Sequence, residues 1–477
     1  MIELFEHQLD MVSAMQQKSK GILQAPTGTG KTFTQAEKAS EFLVDGFKVV
    51  VVSTPRIALS NQVAEEFIKY FGEGKNLSPS SYNAILIHSG ESADLVEDSM
   101  TLEEKKEFLS KFKSVIPSTS FTSEFVERVN LSRDQKKPLI VFTTYHSTKQ
   151  KVTEVLNSLG VTVSLHLNDE AQYLTQEGFS NILQDFEPEN QYFFTATPKV
   201  GESEDGRGMN NSSLFGETIY KLSHREAVDT GLILDVDVDF IESNSEDTVS
   251  QEVLDANVGQ VIQEAFYNTE EKYPGIGAKM LVATKGSNQI RNFLDSLEFI
   301  ELLEEGVEIL TVHSTVEVMT YNGSPITRKQ FNKFKNKFGK DPDSRLIIIH
   351  YDILSEGIDI PGLLSVLILR KMQVAKFMQT VGRVVRLYRL NPELKKKGLV
   401  MFPAINDLDM LVSFKDMIRT LIKSYGYPEE LISEQLTKGL PEDDEESLLE
   451  VETALTASLL DLMLEINSLQ FEENYSF

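Results

Sequence analysis

Short apolar, β-rich runs recur along the first 400 residues and alternate with helical patterns, and this alternation limits the fold more than any other feature. Strands that are apolar along their whole length need cover on both faces, which helices packed on either side of a parallel sheet provide. The candidates in the first half are GILQA (21–25), KVVVVS (48–53), AILIH (84–88), LIVFTT (139–144), VSLHLND (163–169) and QYFFTAT (191–197). In the second half they are KMLVAT (279–284), VEILTVH (307–313), RLIIIH (345–350), SVLILR (365–370) and GLVMF (398–402). The fold class read from this pattern is α/β, with two tandem parallel-sheet domains. The polar loop GESEDGRGMNNSS (201–213) separates the two halves. The expected division is a first domain over 1–220, a linker over 221–235, a second domain over 236–426 and an acidic, helical C-terminal extension over 427–477. Residues 92–136 read as a helical insertion.

With 477 residues, 41% of them hydrophobic and 25% charged, the composition is that of a globular chain, long enough for about two to four domains. The absence of cysteine excludes disulfides and thiolate metal sites. The start, MIELFEHQLD, has neither a basic nor an apolar leader region, and no run reaches membrane-spanning length. A cytoplasmic protein with no membrane contact is expected. The net charge of -27 argues against a uniformly basic nucleic-acid binder. Residues 427–477, however, carry 14 acidic residues against one lysine, so about half of the net charge sits there and a local cationic track remains compatible with the rest. Within that extension SLLEVETALTASLLDLMLEI (447–466) has amphipathic leucine spacing, which suggests docking onto a protein partner.

GILQAPTGTGKT (21–32) reads as strand, loop and helix, with helix formers from Lys31 to Asp45. That is the context a phosphate-binding loop requires, although Ala25 stands where the usual pattern has its first glycine. Gly28 and Gly30 let backbone N–H groups turn towards phosphates, Lys31 supplies a point charge, and the Thr32 hydroxyl can hold Mg²⁺. LHLNDEAQ (165–172) ends a strand in Asp169-Glu170, at the sheet edge where open α/β folds bind ligands. There Asp169 can bind Mg²⁺ through water while Glu170 orients or deprotonates an attacking water. FTATP (194–198) ends another strand, and its hydroxyls are placed to hydrogen-bond Gln172. In QTVGRVVRLYR (379–389), Arg383 and Arg386 are three apart, so both share one helix face and can enter a cleft. Each of these segments alone also fits a plain turn, cap or solvated face; their joint order does not.

Together these residues resemble a superfamily 2 helicase or translocase of the DEAD/DEAH-box type with two RecA-like domains. Within it the chain looks most like the motor of type III restriction enzymes and the phage UvsW-like helicases, because FGETIYKLSHREAVDTGLI (215–233) resembles their interdomain link. The resemblance covers roughly residues 2–405. It implies an adenine-reading segment FEHQ with Phe5 and Gln8, and a nucleotide loop that includes Thr27, Gly28, Thr29, Gly30, Lys31 and Thr32, where alanine at the first position is common. It implies Mg²⁺ held by Thr32 and Asp169, and catalysis by Glu170 with Gln379, Arg383 and Arg386. Gly357 and Asp359 of SEGIDIP would join the ATP site. Gln172, Thr195 and Thr197 would couple ATP to nucleic acid, and Pro55, Arg56, Thr144, Tyr145, Thr284 and Ser355 would lie on the nucleic-acid backbone. The implied ligands are ATP, Mg²⁺ and nucleic acid, with DNA expected ahead of RNA. The sequence DEAQ departs from DEAD, so RNA specificity is not implied, and no nuclease motif accompanies the motor. A non-motor reading, an ATP-gated clamp or scaffold subunit, stays open at this stage.

TRKQFNKFKNKFGK (327–340) adds a basic helix whose Phe331, Phe334 and Phe338 fall at core spacing, leaving its lysines on the exposed face.

Overall fold

The computed structural model describes residues 2–44, 46–88, 116–179, 182–201, 206–241, 251–313, 318–351, 360–372, 374–388, 392–403, 414 and 417. Of the expectations above, those for residues 92–115, for Ser355, Gly357 and Asp359, and for the acidic extension lie outside the described residues; the described end of the expected insertion includes the helix Thr122–Gln135.

Two eight-stranded sheets follow one another in the chain. The first contains β1 (Lys20–Gln24), β2 (Val49–Thr54), β3 (Asn83–Ile87), β4 (Ser118–Thr119), β5 (Leu139–Thr144), β6 (Leu165–Asp169), β7 (Gln191–Thr195) and β8 (Thr218–Lys221). Its order is β4-β3-β5-β2-β6-β7-β1-β8, and all the pairings are parallel. The second contains β9 (Asp235–Ile241), β10 (Lys279–Ala283), β11 (Glu308–His313), β12 (Met319–Tyr321), β13 (Ser324–Ile326), β14 (Leu346–Tyr351), β15 (Ser365–Ile368) and β16 (Lys397–Pro403). Its order is β13-β12-β11-β14-β10-β15-β16-β9, parallel except for the β11–β12–β13 meander.

Five of the strands read from apolar runs, β2, β5, β6, β7 and β10, are buried from end to end. One apolar cluster joins Leu23, Val50 and Phe67 of the first half to Leu281, Ile348 and Leu367 of the second, and another, with Val51, Val141 and Phe193, fills the opposite face of the first sheet. The strands that the apolar pattern does not announce are edge or hairpin strands. β8 is only partly buried, and β9, with the sequence DVDVDFI, is half-buried and joined to the sheet through β16. Such strands have one wet side and carry no continuous apolar run.

The helix expected from Lys31 to Asp45 ends at Ser40, and the chain then turns through Gly46 at φ 94°. The segment expected as a link carries β8 and the short helix His224–Asp229, which a Ser223/Glu226 capping box begins. In the basic helix Arg328–Lys340, Phe331 and Phe338 are buried and Phe334 stacks on Tyr321 with ring centroids 4.2 Å apart. Lys335 is buried with them, unlike the exposed Lys329, Lys333 and Lys337.

Strand order decides which loops meet. β6, β7 and β1 are neighbours, with Asp169 level with Phe194 and Gln24 level with Thr195. The loop after β1, the acidic pair after β6 and the threonines after β7 therefore emerge side by side at one carboxyl edge. Leu281, fully buried in the centre of the second sheet, tests the packing. Leu281→Ala is expected to lower unfolding free energy by about 2–5 kcal/mol. Leu297→Ala, at a residue 74% exposed, should stay within about 0.5 kcal/mol; denaturant titration of both variants measures the contrast.

Candidate functional site

The loop Ala25–Gly30 leaves β1 with the Ala25 amide bonded to the Thr195 carbonyl at 3.1 Å. Gly28 and Gly30 hold φ of 93° and 79°, backbone that side chains rarely tolerate, and Gly30 begins the helix Lys31–Ser40. This geometry aims a helix N-terminus at the cleft and suits an anion. Two residues of the first helix, Glu6–Gln17, brace the loop from behind. His7 Nε2 lies 2.8 Å from the Thr29 carbonyl and so carries the donated proton, while Gln8 Nε2 donates to the Gly30 carbonyl at 3.0 Å. The Gln8 carbonyl in turn accepts from the Phe5 amide at 2.9 Å, and the Phe5 ring is 64% exposed.

Lys31 is buried, with Nζ donating to the Ala25 and Pro26 carbonyls at 2.9 and 3.1 Å. Burial lowers its pKa; the charges of Glu170 and Asp169 oppose this, and Arg386 adds to it. Asp169, 6% exposed at the end of β6, accepts from Gln35 Nε2 at 2.9 Å. Burial and then the Glu170 charge push its carboxyl up to about 7, against the pull of Lys31 and Gln35. Glu170 sits in the left-handed region at φ 51°. Its Oε2 accepts from Gln172 Nε2 at 2.8 Å, and Thr195 Oγ1 donates to Gln172 Oε1 at 2.7 Å. The Thr197 amide donates to Thr195 Oγ1 at 3.1 Å, so Thr197 joins this group through its backbone.

The second sheet closes the cleft with the helix Val374–Val384. Gln379 Nε2 reaches Glu170 Oε2 at 3.4 Å, and a Cβ added to Gly382 would stand 2.8 Å from the Thr27 Cβ. Arg383 and Arg386 both line the resulting cleft of about 700 Å³, together with Lys31, Thr32, Asp169 and Glu170. Their expected common helix face is corrected by the structure. The helix ends at Val384, and the carbonyls just beyond it are taken from outside the helix: the Leu234 amide donates to the Val385 carbonyl at 2.7 Å and Lys395 Nζ to the Arg386 carbonyl at 3.1 Å. Arg386 thus enters the cleft from the turn beyond the helix.

The proposed nucleic-acid contacts divide. Arg56 is exposed, whereas Pro55 lines the nucleotide-side cleft. Thr284 is fully buried, its hydroxyl and amide both donating to the His350 carbonyl. Tyr145 is fully buried too, with its hydroxyl on the Asp169 carbonyl, and its side chain does not reach an external backbone. Thr144 is 6% exposed and caps the turn that follows through the Ser147 amide. These strand-end hydroxyls are used up by the fold.

Sequence reasoning missed His7, Gln35 and Lys395. Lys395 is 2% exposed and bridges the Leu363 and Arg386 carbonyls at 2.7 and 3.1 Å, tying the turn that carries Arg386 to the loop after Pro361-Gly362. Only the position of His7, one residue before Gln8, offered a local signal.

The groups lining the cleft fit a polyphosphate and a hard cation: two positive-φ glycines, one buried lysine, two arginines, the buried Asp169 carboxylate and the Thr32 hydroxyl. Residues 1–200 match the family described as "Type III restriction enzyme, res subunit", and residues 274–388 match "Helicase conserved C-terminal domain". The endonuclease subunit of the type I restriction enzyme SsaAORF53P from Staphylococcus saprophyticus is 23% identical over 54% of this chain and 23% of its own length. The corresponding EcoKI subunit from Escherichia coli K12 is 21% identical over 87% of this chain and 35% of its own length, so the matches span 23% and 35% of these two relatives. Among solved structures, the ATP-dependent type ISP restriction-modification enzyme LlaBIII bound to DNA superposes with a TM-score of 0.64 at 17% identity, over 89% of this chain and 30% of that one. Mss116p bound to ssRNA and AMP-PNP superposes at 0.52 and 16%, over 97% and 82%. Both share the tandem RecA-like fold seen here.

Lys395 supplies a test of the cleft's internal ties. Burial, and then the Arg386 charge, push its ammonium down to about 7 from an ordinary 10.5. Between those values the unfolded chain binds more protons than the folded one, so this group makes stability rise with pH, and its penalty is complete below the folded value. Lys395→Met is expected to flatten the increase in melting temperature between about pH 7 and 9. Identical slopes for the two proteins in thermal denaturation would refute the buried-ammonium assignment.

Proposed function

We propose that this chain is a superfamily 2 helicase-type motor, akin to the restriction-enzyme subunits it resembles, and acts as a nucleic-acid-stimulated ATPase that translocates on or remodels DNA. The observation that carries the reading is the position of Glu170. Its carboxylate is held from the first sheet by Gln172, itself fixed by Thr195, and from the second sheet by Gln379. A hydrolytic centre assembled from both sheets ties turnover to their relative position, and a motor needs that dependence.

Bound MgATP would supply the phosphoanhydride whose cleavage drives the cycle. Of the chain's own residues, Gly28, Gly30 and Lys31 would bind the phosphates, and Thr32 with Asp169 would hold Mg²⁺. Phe5 and Gln8 would bind the base. Glu170, supported by the two glutamines, would orient water and accept its proton. Arg383 and Arg386 would neutralise charge developing during phosphoryl transfer. Gly357 and Asp359 are proposed for the same pocket, and Ser355 for nucleic acid, from the sequence alone. Arg56 and the exposed side of the turn after Thr144 are proposed for the nucleic-acid backbone. The restriction-type relatives favour DNA over RNA as the partner. The acidic extension is proposed as a protein-docking segment on the strength of its leucine spacing.

Three experiments test this. Lys31→Ala should weaken nucleotide binding, whereas Glu170→Gln, which keeps shape but cannot take a proton, should bind ATP and lose turnover. Near-normal hydrolysis by the glutamine variant would exclude Glu170 as the water activator. Arg386→Ala should reduce turnover by roughly 10³-fold or more with little change in nucleotide affinity; matched losses in binding and rate would assign the arginine to structure instead. ATPase assays of the unmodified chain with single-stranded DNA, duplex DNA and RNA, followed by strand displacement on a forked duplex, decide the substrate. Stimulation without displacement or translocation would favour the ATP-gated clamp.

A further inference from the structure

The turn that follows β5 has two unlike faces. Tyr145, Ser147 and Thr148 are buried, whereas His146, Lys149 and Gln150 are exposed, and residues Thr148–Val152 form a π-helical turn. Such turns are uncommon and recur at functional sites. Its buried face is tied to β6 by two separate routes.

The first route is direct. The Tyr145 hydroxyl, within a fully buried side chain, donates to the Asp169 carbonyl at 2.6 Å. That carbonyl belongs to the peptide leading into Glu170, which is held at φ 51° and ψ 49°. A non-glycine residue there is strained by about 1–2 kcal/mol and stays only where its surroundings over-determine it. Burial, and then the charges of Asp169 and Glu170, raise the Tyr145 phenol well above its ordinary value, so it remains a donor.

The second route is a directed chain. Gln191 Nε2 lies 3.3 Å from His166 Nδ1, His166 Nε2 lies 2.9 Å from Ser53 Oγ, and Ser53 Oγ lies 2.9 Å from Thr148 Oγ1, which donates to the Thr144 carbonyl at 2.9 Å. An amide donor at Nδ1 puts the ring proton on Nε2, so each hydroxyl accepts from one neighbour and donates to the next. Burial takes the His166 pKa down to about 3, which keeps the ring neutral as this pattern requires.

We propose that Tyr145 is a positioning residue that holds the Asp169–Glu170 peptide and passes displacement of the 145–152 turn, when its exposed face meets nucleic acid, to the carboxylate of Glu170. The inference rests on the function proposed above and deepens it. It replaces the sequence-based role of Tyr145 as a direct nucleic-acid contact. The exposed His146, Lys149 and Gln150 meet the ligand, and the buried tyrosine on the same turn reports to the hydrolytic centre.

Tyr145→Phe removes only the hydroxyl. With the full chain and a linear DNA duplex at saturation, stimulated kcat should fall roughly tenfold. Dissociation constants for a fluorescent ATP analogue and for the duplex should stay within about twofold, since neither ligand touches the hydroxyl. Unchanged kcat overturns the proposal. So does a fall in kcat matched by a loss of nucleotide affinity, which marks a general structural role. If no nucleic acid stimulates the unmodified protein, the proposed function fails; basal kcat then decides the positioning role, a drop at constant nucleotide affinity upholding it and no drop ending it. Should Tyr145→Phe not fold, Ser53→Ala, which cuts the second route, is judged by the same readouts.

Discussion

The helix Val374–Val384 lies against the phosphate loop so closely that Gly382 has no room for a side chain beside Thr27, and the other features of the cleft follow from this contact. It brings Gln379 onto Glu170 and carries Arg383 into the cleft that Lys31 lines, with Arg386 entering from the turn just beyond it. Without it the first sheet would present a glycine-rich loop and an acidic pair with no guanidinium groups lining the same cleft. The approach is held from outside the helix as well. Leu234, just before β9, bonds the Val385 carbonyl, so the segment connecting the sheets and the end of the arginine-bearing helix are fastened together.

Closing such a cleft gathers like charges in a place poor in water. Lys31, Arg383 and Arg386 face Asp169 and Glu170, and the perturbations follow: Asp169 is driven up by burial and its acidic neighbour, while Lys31 and Lys395 are driven down. Several perturbed groups crowded into one cleft mark a functional site more often than a structural one. The fold keeps them in place with neutral donors and acceptors: the Gln35 amide on Asp169, the glutamines on Glu170, and backbone carbonyls beneath the Lys31 and Lys395 ammonium groups.

Much of this was legible from local pattern. The loop APTGTGKT, the strand ending in Asp169-Glu170 and the apolar strand runs report on themselves, because a tight turn, a strand end and a buried strand each leave a mark within a few residues. Edge strands such as β9 left a weaker one, since a strand with one wet side needs no apolar run. The braces were not legible at all. His7 meets Thr29 across 22 positions, Gln35 meets Asp169 across 134, and Lys395 grips the Leu363 carbonyl from 32 residues away. A histidine, a glutamine and a lysine carry no local sign of such partners.

By itself the sequence determined the α/β alternation and the two sheet-forming halves, and it singled out the candidate groups proposed for phosphate and water, because these depend on residue type and short spacing. Only the tertiary structure decided which of those groups meet. Strand order placed β6 and β7 beside β1, and the register set Asp169 and Thr195 level with the phosphate loop. It also reassigned residues whose chemistry was read correctly but whose direction was not. Tyr145 and Thr284 turn their hydroxyls inward to backbone carbonyls, whereas Arg386 reaches the cleft as its spacing from Arg383 suggested, though from just beyond the helix end. Side-chain direction depends on what packs behind a residue, and that is settled by contacts distant in the chain.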